Sequence, residues 1–376
     1  MKPSRLLLRL EGDIRNSRST FAADCLRAER AGYLARLGQF EEVRLELAAL
    51  HGRYDPRPNV EISAWLNLVE GLVIFSKDMG RAARDKIRRA HALSSAAGLA
   101  RLRALSAAWL AHMDFLQVDI SAMSIHVSEA LTVSDQSQFS ARSRASLVIA
   151  QGYHQGGRLD LALPWYFSAR ENATAEGDDV TVSALMHNMA WLRASNLRQA
   201  QILGTQSTGE NDHALLSAQS TAHYDFLIGV ISLQGHVPIL RAKILASDGR
   251  PAEALTLFDD YLSTAVCEGM GRLQADLIAD RAWCKLQLGR VGEAREDAAL
   301  AESSIDPVGQ FDDRAFAHSR LVDVFSLLGQ SEAALIHKEL AVAAWRGHVE
   351  FQNRIVNALN EIVPSATSKA VIRDHD

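Results

Sequence analysis

Apolar and small residues return along the chain at two nested intervals, three or four residues within a segment and about forty between segments. The short interval marks amphipathic helices. In residues 145–172, ASLVIAQGYHQGGRLDLALPWYFSAREN, Leu147, Ala150 and Tyr153 share one face of a first helix. Ala162, Tyr166 and Ala169 share one face of a second, with Pro164 placed in its first turn, where a missing N–H costs little. Gly157 lies between them and suits the left-handed conformation of a helix end. The long interval runs through Val43, Ala83, Met123, Ala162, Ala200, Ala254, Ala294 and Ala334, each read as opening the second helix of a pair. Their successive separations are 40, 40, 39, 38, 54, 40 and 40 residues by subtraction. The pattern predicts an all-α, right-handed α–α superhelix of about eight helical hairpins, roughly eighteen helices with no sheet.

The same grammar recurs as Gly38-Gln39-Phe40 before Val43, as Gly71 and Ile74 before Ala83, Ile87 and Ala90, and as Asn188 and Trp191 before Ala200. It returns as Ala242, Leu245, Gly249, Ala254 and Phe258, then as Ala282, Gly289, Ala294, Ala298 and Ala301, then as Phe325, Gly329, Ala334 and Ala341. The 54-residue step breaks the rhythm. Its surplus falls near residues 204–221, rich in Ser, Thr, Gly, Asn and Asp, a loop composition. The apolar helix of AHYDFLIGVISLQ that follows fits no unit. An insertion with an extended helix and a hinge between two stacks both satisfy these residues. The expected divisions are an N-terminal stack over 1–203, an irregular loop and helix over 204–234, a C-terminal stack with a capping helix over 235–363, and a flexible tail over 364–376 behind a helix stop at Pro364.

A small residue and an aromatic on a first helix, a glycine turn, then Ala, aromatic and Ala on a second form the pattern of the tetratricopeptide repeat (TPR). Residues 21–345 resemble that family. The period exceeds its common 34 residues and is similar to the long units of bacterial TPR sensor regions, Rap-type peptide receptors among them. HEAT and armadillo repeats have comparable periods, but the Gly-x-hydrophobic-x-x-Ala turn favours the TPR. The resemblance implies a non-enzymatic scaffold that binds a protein or peptide, as a bacterial regulatory adaptor or sensor in signalling. A ligand-switched receptor for a peptide or small molecule, and a structural assembly subunit, remain as alternatives.

Composition narrows the remaining classes. With 48% hydrophobic and 23% charged residues, the 376-residue chain carries enough apolar surface to fold, and is longer than one ordinary core fills. A net charge of -5 argues against general nucleic-acid binding. The apolar run Leu6 to Leu8 is cut by Arg9, too short for a signal peptide, and no stretch is long enough to span a membrane. A cytoplasmic protein with no membrane and no nucleic-acid partner is expected. Cys25, Cys267 and Cys284 lie far apart, and the 13 histidines are dispersed, His213 and His223 included. No Walker loop, HExxH, GxSxG or acidic calcium loop occurs. Gly269-Met270-Gly271 follows no strand. The reading is of no enzyme, no metal and no cofactor.

First helices of a TPR line its concave surface. Inward positions are Trp65, Leu72 and Phe75, then Trp109, His112 and Phe115, then Leu147, Gln151 and His154, then Leu185 and Met189. The expected partner-binding wall is centred on Trp109, His112, Gln151, His154 and Met189, whose aromatic and thioether groups give contact area while His and Gln satisfy a peptide backbone. A second candidate is the basic run from Arg81 to Arg89, with Arg101 and Arg103 behind it, either a solvated face or a dock for an acidic partner. Acidic residues gather at Glu293, Glu296, Asp297, Glu302, Asp306, Asp312 and Asp313, which would allow head-to-tail assembly.

Overall fold

Several helices begin with a sequence-encoded cap, and several hairpins turn at a glycine. Ser19 Oγ accepts from the Ala22 amide, Asn59 Oδ1 from the amides of Glu61 and Ile62, and Asp119 Oδ1 from Ala122, satisfying donors that open a helix. At the turns the amide five residues on bonds back across the helix end. Gln39 reaches the Leu34 carbonyl at 3.0 Å, Arg158 that of Tyr153 at 2.8 Å, and Arg250, Arg290 and Gln330 those of Leu245, Lys285 and Phe325 at 2.9 Å. This Schellman closure needs a left-handed residue, which Gly157 supplies at φ 73°. Links of a few residues then force the two helices to run antiparallel.

The computed structural model describes residues 4–204 and 210–373, with side chains over 4–204 and 212–362. Among them are seventeen α-helices, one 3-10 turn and no strand. A leading helix, α1 (Arg5–Asn16), precedes eight pairs. These are α2 (Thr20–Leu37) with α3 (Phe40–Tyr54), α4 (Val60–Asp78) with α5 (Ala82–Ala96), α6 (Ala100–Leu116) with α7 (Ile120–Val133), and α8 (Phe139–Gln155) with α9 (Leu159–Glu176). Then come α10 (Asp179–Ile202) with α11 (Glu210–Ile228), α12 (His236–Ser247) with α13 (Pro251–Cys267), α14 (Gln274–Gln287) with α15 (Val291–Ser303), and α16 (Phe311–Leu327) with α17 (Ser331–Arg373).

The all-α expectation holds, but the register of the fifth pair differs from that expected. Ala200 lies in the last turn of α10 and is only half-buried. The small residue that opens the fifth second helix is Ala214, fully buried with Ala218 one turn on. Measured from Ala162 through Ala214 to Ala254, the steps become 52 and 40 residues, so the period is restored one unit earlier. Residues 210–221, expected as loop, form the first part of α11, while 205–209 lie outside the described residues. Pro364 does not stop the last helix, which runs on to Arg373, and residues 374–376 of the expected tail lie outside the described residues. Pro164 is the sixth residue of α9 rather than in its first turn, and it sits on the exposed side of that helix. Helix α1 was not foreseen: it is anchored by Leu6 and Leu10, both buried.

The chain divides into two units. The first comprises the chain through Leu185, His223–Ser232 and the chain from Arg354; the second comprises Met186–Ala222 and Leu233–Asn353. In the first unit, the turn after α2 receives the segment behind α11: the Ile231 amide donates to the Leu37 carbonyl at 2.9 Å, and Ser232 Oγ to that of Arg36 at 2.9 Å. Gly38 permits this approach. A Cβ there would stand 2.6 Å from the Ser232 nitrogen and 2.9 Å from the Ile231 carbonyl carbon, at a φ of 88°. Since both obstacles are backbone, Gly38→Ala should cost at least about 2 kcal/mol, read as a lower urea midpoint. Gly98→Ala, at φ 68° in open space, is the control and should cost only the strain of its φ.

Candidate functional site

The middle first helices have no solvent-facing side. On α8 every residue from Ser143 to His154 is buried, and on α6 every residue from Ser106 to Asp114. Second helices bury a single stripe, as Ala294, Asp297, Ala298 and Ala301 do on α15. Three sides of α8 can be told apart. One meets α9: Ser143 Oγ donates to the Ala169 carbonyl at 2.8 Å, the Ser146 and Ser168 hydroxyls lie 3.2 Å apart, and His154 Nδ1 lies 3.1 Å from Tyr166 Oη. About half a turn around the helix, Gly152 meets the far end of α17. A Cβ there would lie 2.7 Å from Leu359 and 3.3 Å from Ile355, and beside it Tyr153 Oη donates to Asn360 Oδ1 at 3.0 Å. Between these sides lie Arg144 and Gln151, two turns apart on one face.

Arg144 lays its guanidinium over the Trp109 indole, 4.0 Å from the ring centroid. The Trp109 ring meets Phe75 edge-on at 5.8 Å and His112 at 5.9 Å, and His112 meets Phe75 at 5.5 Å. Burial and the Arg144 charge push His112 down to about 3, so its ring is neutral. Nearby, Arg36 pairs with Asp178 at 2.8 Å and donates to Thr181 Oγ1 at 2.9 Å. Burial alone would raise Asp178, but Arg36 overcomes it and holds the carboxyl below its usual range.

The expected open wall is therefore corrected. Trp109, His112, Gln151 and His154 are 4, 5, 4 and 2% exposed. Along Ser106–Asp114 of α6 and Ser143–His154 of α8 every residue is buried, and α8 is covered by α9 on one side and by the far end of α17 on another, so the inward residues there form interior. His154 serves the α8–α9 pairing through Tyr166. Met189 is half-buried on α10 and belongs to the second unit. Trp109 and His112 do come together, around Arg144, which the sequence analysis passed over. Its signal was a charge seven residues before Gln151, on the same face of a helix with almost no others.

The basic run is mostly neutralised by its own surroundings. Arg84 pairs with Asp114 at 2.6 Å, Lys86 with Glu70 at 2.5 Å, Arg88 with Asp85 at 2.9 Å, Arg101 with Glu29 and Arg103 with Glu129 at 2.5 Å. Arg81 and Arg89 remain exposed.

The second unit buries an ionic network whose members lie far apart in the sequence and share no local motif. Arg198 bridges Asp276 at 2.8 Å and Asp280 at 2.9 Å, Lys243 pairs with Asp276, and Arg320 reaches Asp280 at 2.7 Å. Aromatic faces pack on these cations: Phe316 lies 5.0 Å from Arg198, Trp191 lies 5.7 Å from Lys243, and Trp283 lies 4.8 Å from Arg320. Burial opposes ionisation of Asp276, yet Arg198 and Lys243 hold it low. These charges pair with one another, which suits them to fixing α10, α12, α14 and α16 together. Among the described residues no cluster of three or more His, Cys, Asp or Glu could hold a metal ion, and no helix is long and apolar enough to cross a membrane.

This is a TPR-like helical-repeat fold. Among solved structures, a Rap protein complexed with Competence and Sporulation Factor is similar, with a TM-score of 0.55 and 14% identity over 92% of each chain. No family model matches the sequence, and no curated protein matches it.

Four histidines, three of them buried and His187 half-buried, give the fold a defined acid sensitivity. Burial lowers His112 and His187 to about 3, and His236 and His318 to about 4. The folded state keeps them neutral while the unfolded chain takes up protons below about 6.5, so stability falls as pH drops through the window from 6.5 toward 4. Each fully neutral histidine contributes up to about 1.4 kcal/mol per pH unit to that slope. Urea unfolding at pH 7, 6 and 5 should display it, and His112→Gln should remove one proton's share. An unchanged slope in that variant would contradict a neutral His112.

Proposed function

We propose that the chain is a non-enzymatic repeat protein that binds a protein or peptide segment on the first-helix layer of its first unit, in a regulatory role. The observation that carries this reading is that α8 already takes a helix there. Gly152 provides a notch, Ile355 and Leu359 fill it at i and i+4, and the Tyr153–Asn360 hydrogen bond fixes the register. That is the arrangement by which a groove recognises an amphipathic helix. Both aliphatic side chains are buried, at 1 and 0% exposed. The likeness in fold to the Rap protein solved with Competence and Sporulation Factor supports a binding role over a catalytic one. A charge-driven assembly subunit has less support, since the basic run pairs largely within its own chain.

The test replaces the occupant. In the full chain, Ile355→Asp with Leu359→Asp should unseat the segment, with helicity followed by circular dichroism. A labelled synthetic peptide of residues 350–362 added in trans should then bind at least about tenfold more tightly than it binds the unaltered chain, a difference of about 1.4 kcal/mol. Adding Gly152→Leu should abolish that binding. Equal binding to all three proteins, or to none, would remove the reading.

A further inference from the structure

Four arginine and lysine side chains are buried among the described residues: Arg144, Arg198, Lys243 and Lys285. Three have carboxylate partners. Arg198 holds Asp276 and Asp280, Lys243 holds Asp276, and Lys285 lies 2.7 Å from Asp297. Arg144 differs. It is 5% exposed, and its guanidinium has the Trp109 ring beneath it but no hydrogen bond or ion pair among the described residues. The nearby carboxylate is already occupied: Asp178 accepts from the Thr181 amide at 2.9 Å and the Thr181 hydroxyl at 2.8 Å while pairing with Arg36. Two further polar atoms beside this layer are buried without a partner, His112 Nδ1 and Gln151 Oε1.

A guanidinium this enclosed, with Asp178 near enough to act on it but no carboxylate bonded to it, is close to the costly state of an ion pair whose other half is missing. Arginine is the side chain suited to supply two parallel donors to a planar carboxylate, and an aromatic face beneath it fixes the plane. His112 can offer an Nδ1–H donor, since nothing in the structure fixes its tautomer. We infer that Arg144, stacked on Trp109 beside His112, is an anchoring subsite for a carboxylate of a bound peptide. This rests on the peptide-binding reading above and names the group such a ligand presents. Burial and the Arg36 charge push the guanidinium down to about 9, and the Asp178 charge offsets them only in part.

The carboxylate could be a peptide's C-terminus or an acidic side chain, and three pools of random N-acetylated pentapeptides separate these. The first has free C-termini and no Asp or Glu, the second is amidated with one Asp or Glu, and the third is amidated with neither. Each is incubated with the full chain, and retained peptides are counted by mass spectrometry. The first or second pool should be retained at least tenfold over the third, and whichever it is names the source. Arg144→Met should fold with an unchanged or higher Tm and lose that preference, while Arg144→Lys should keep part of it. Equal retention of all pools would overturn the subsite while leaving peptide binding intact. Retention of none would overturn both. A preference that survives Arg144→Met would place the carboxylate elsewhere and overturn the assignment.

Discussion

Paired helices in this chain meet at a small buried residue in the opening turn of most second helices, and that constraint organises the rest. Ala83, Ala162, Ala214, Ala254 and Ala294 are fully buried in the opening turns of successive second helices. A longer side chain at such a point forces the axes apart or strains its rotamers, at about 1–3 kcal/mol. Val43 and Met123 show how far the slot stretches, since both are buried but one is branched and the other unbranched and adaptable. With the pairs drawn close, neighbouring pairs can enclose the middle first helices, α6 and α8, over most of their length. Solvent is then left to the second helices and the turns.

Enclosure turns every polar group on a first helix into a problem of partners. The second unit solves it with charge against charge, stacking Phe316 and Trp283 on the cations and seating Asp276 between Arg198 and Lys243. Such a network adds little net stability over an apolar core of the same shape, but it ties four helices into one register. The first unit solves it in part. Arg36, Asp178 and Thr181 close on one another, joining α2 to the start of α10. Arg144 is left on an indole face.

The architecture was legible because its cause, a small residue every forty, is written at the level of single positions. The failures have physical reasons. Ala200 matched the period as well as Ala214 did, and nothing local distinguished a helix end from a helix start. The decisive clue was Ala218 four residues on, reached by counting back from Ala254 rather than forward from Ala162. The stretch 204–221 looked like a loop from its Ser and Thr, yet Ser217, Ser220 and Thr221 bond back to carbonyls four residues earlier and so sit within a helix. The site was less legible still. Inward positions could be phased along one helix, but whether an inward face meets water or another segment depends on contacts far apart in sequence. The run SLVIAQGY, without a charge, was the one sign that α8 has no wet side.

The segment seated on α8 also sets the terms for any partner. Burying Ile355 and Leu359 is worth roughly 1.5–3 kcal/mol each before the cost of ordering the segment. A tethered segment competes at an effective concentration of the order of millimolar. A ligand in trans that offered only the same two aliphatic anchors would lose to the chain's own helix. It must bring a contact the resident segment lacks, so the notch at Gly152 confers affinity without choosing a partner. Discrimination then depends on polar groups in the layer that the fold leaves unmatched. On α8 these are few, because the serines and His154 already bond to α9. The remaining face, with Arg144 and Gln151, is where a correct partner gains something that the chain cannot supply to itself.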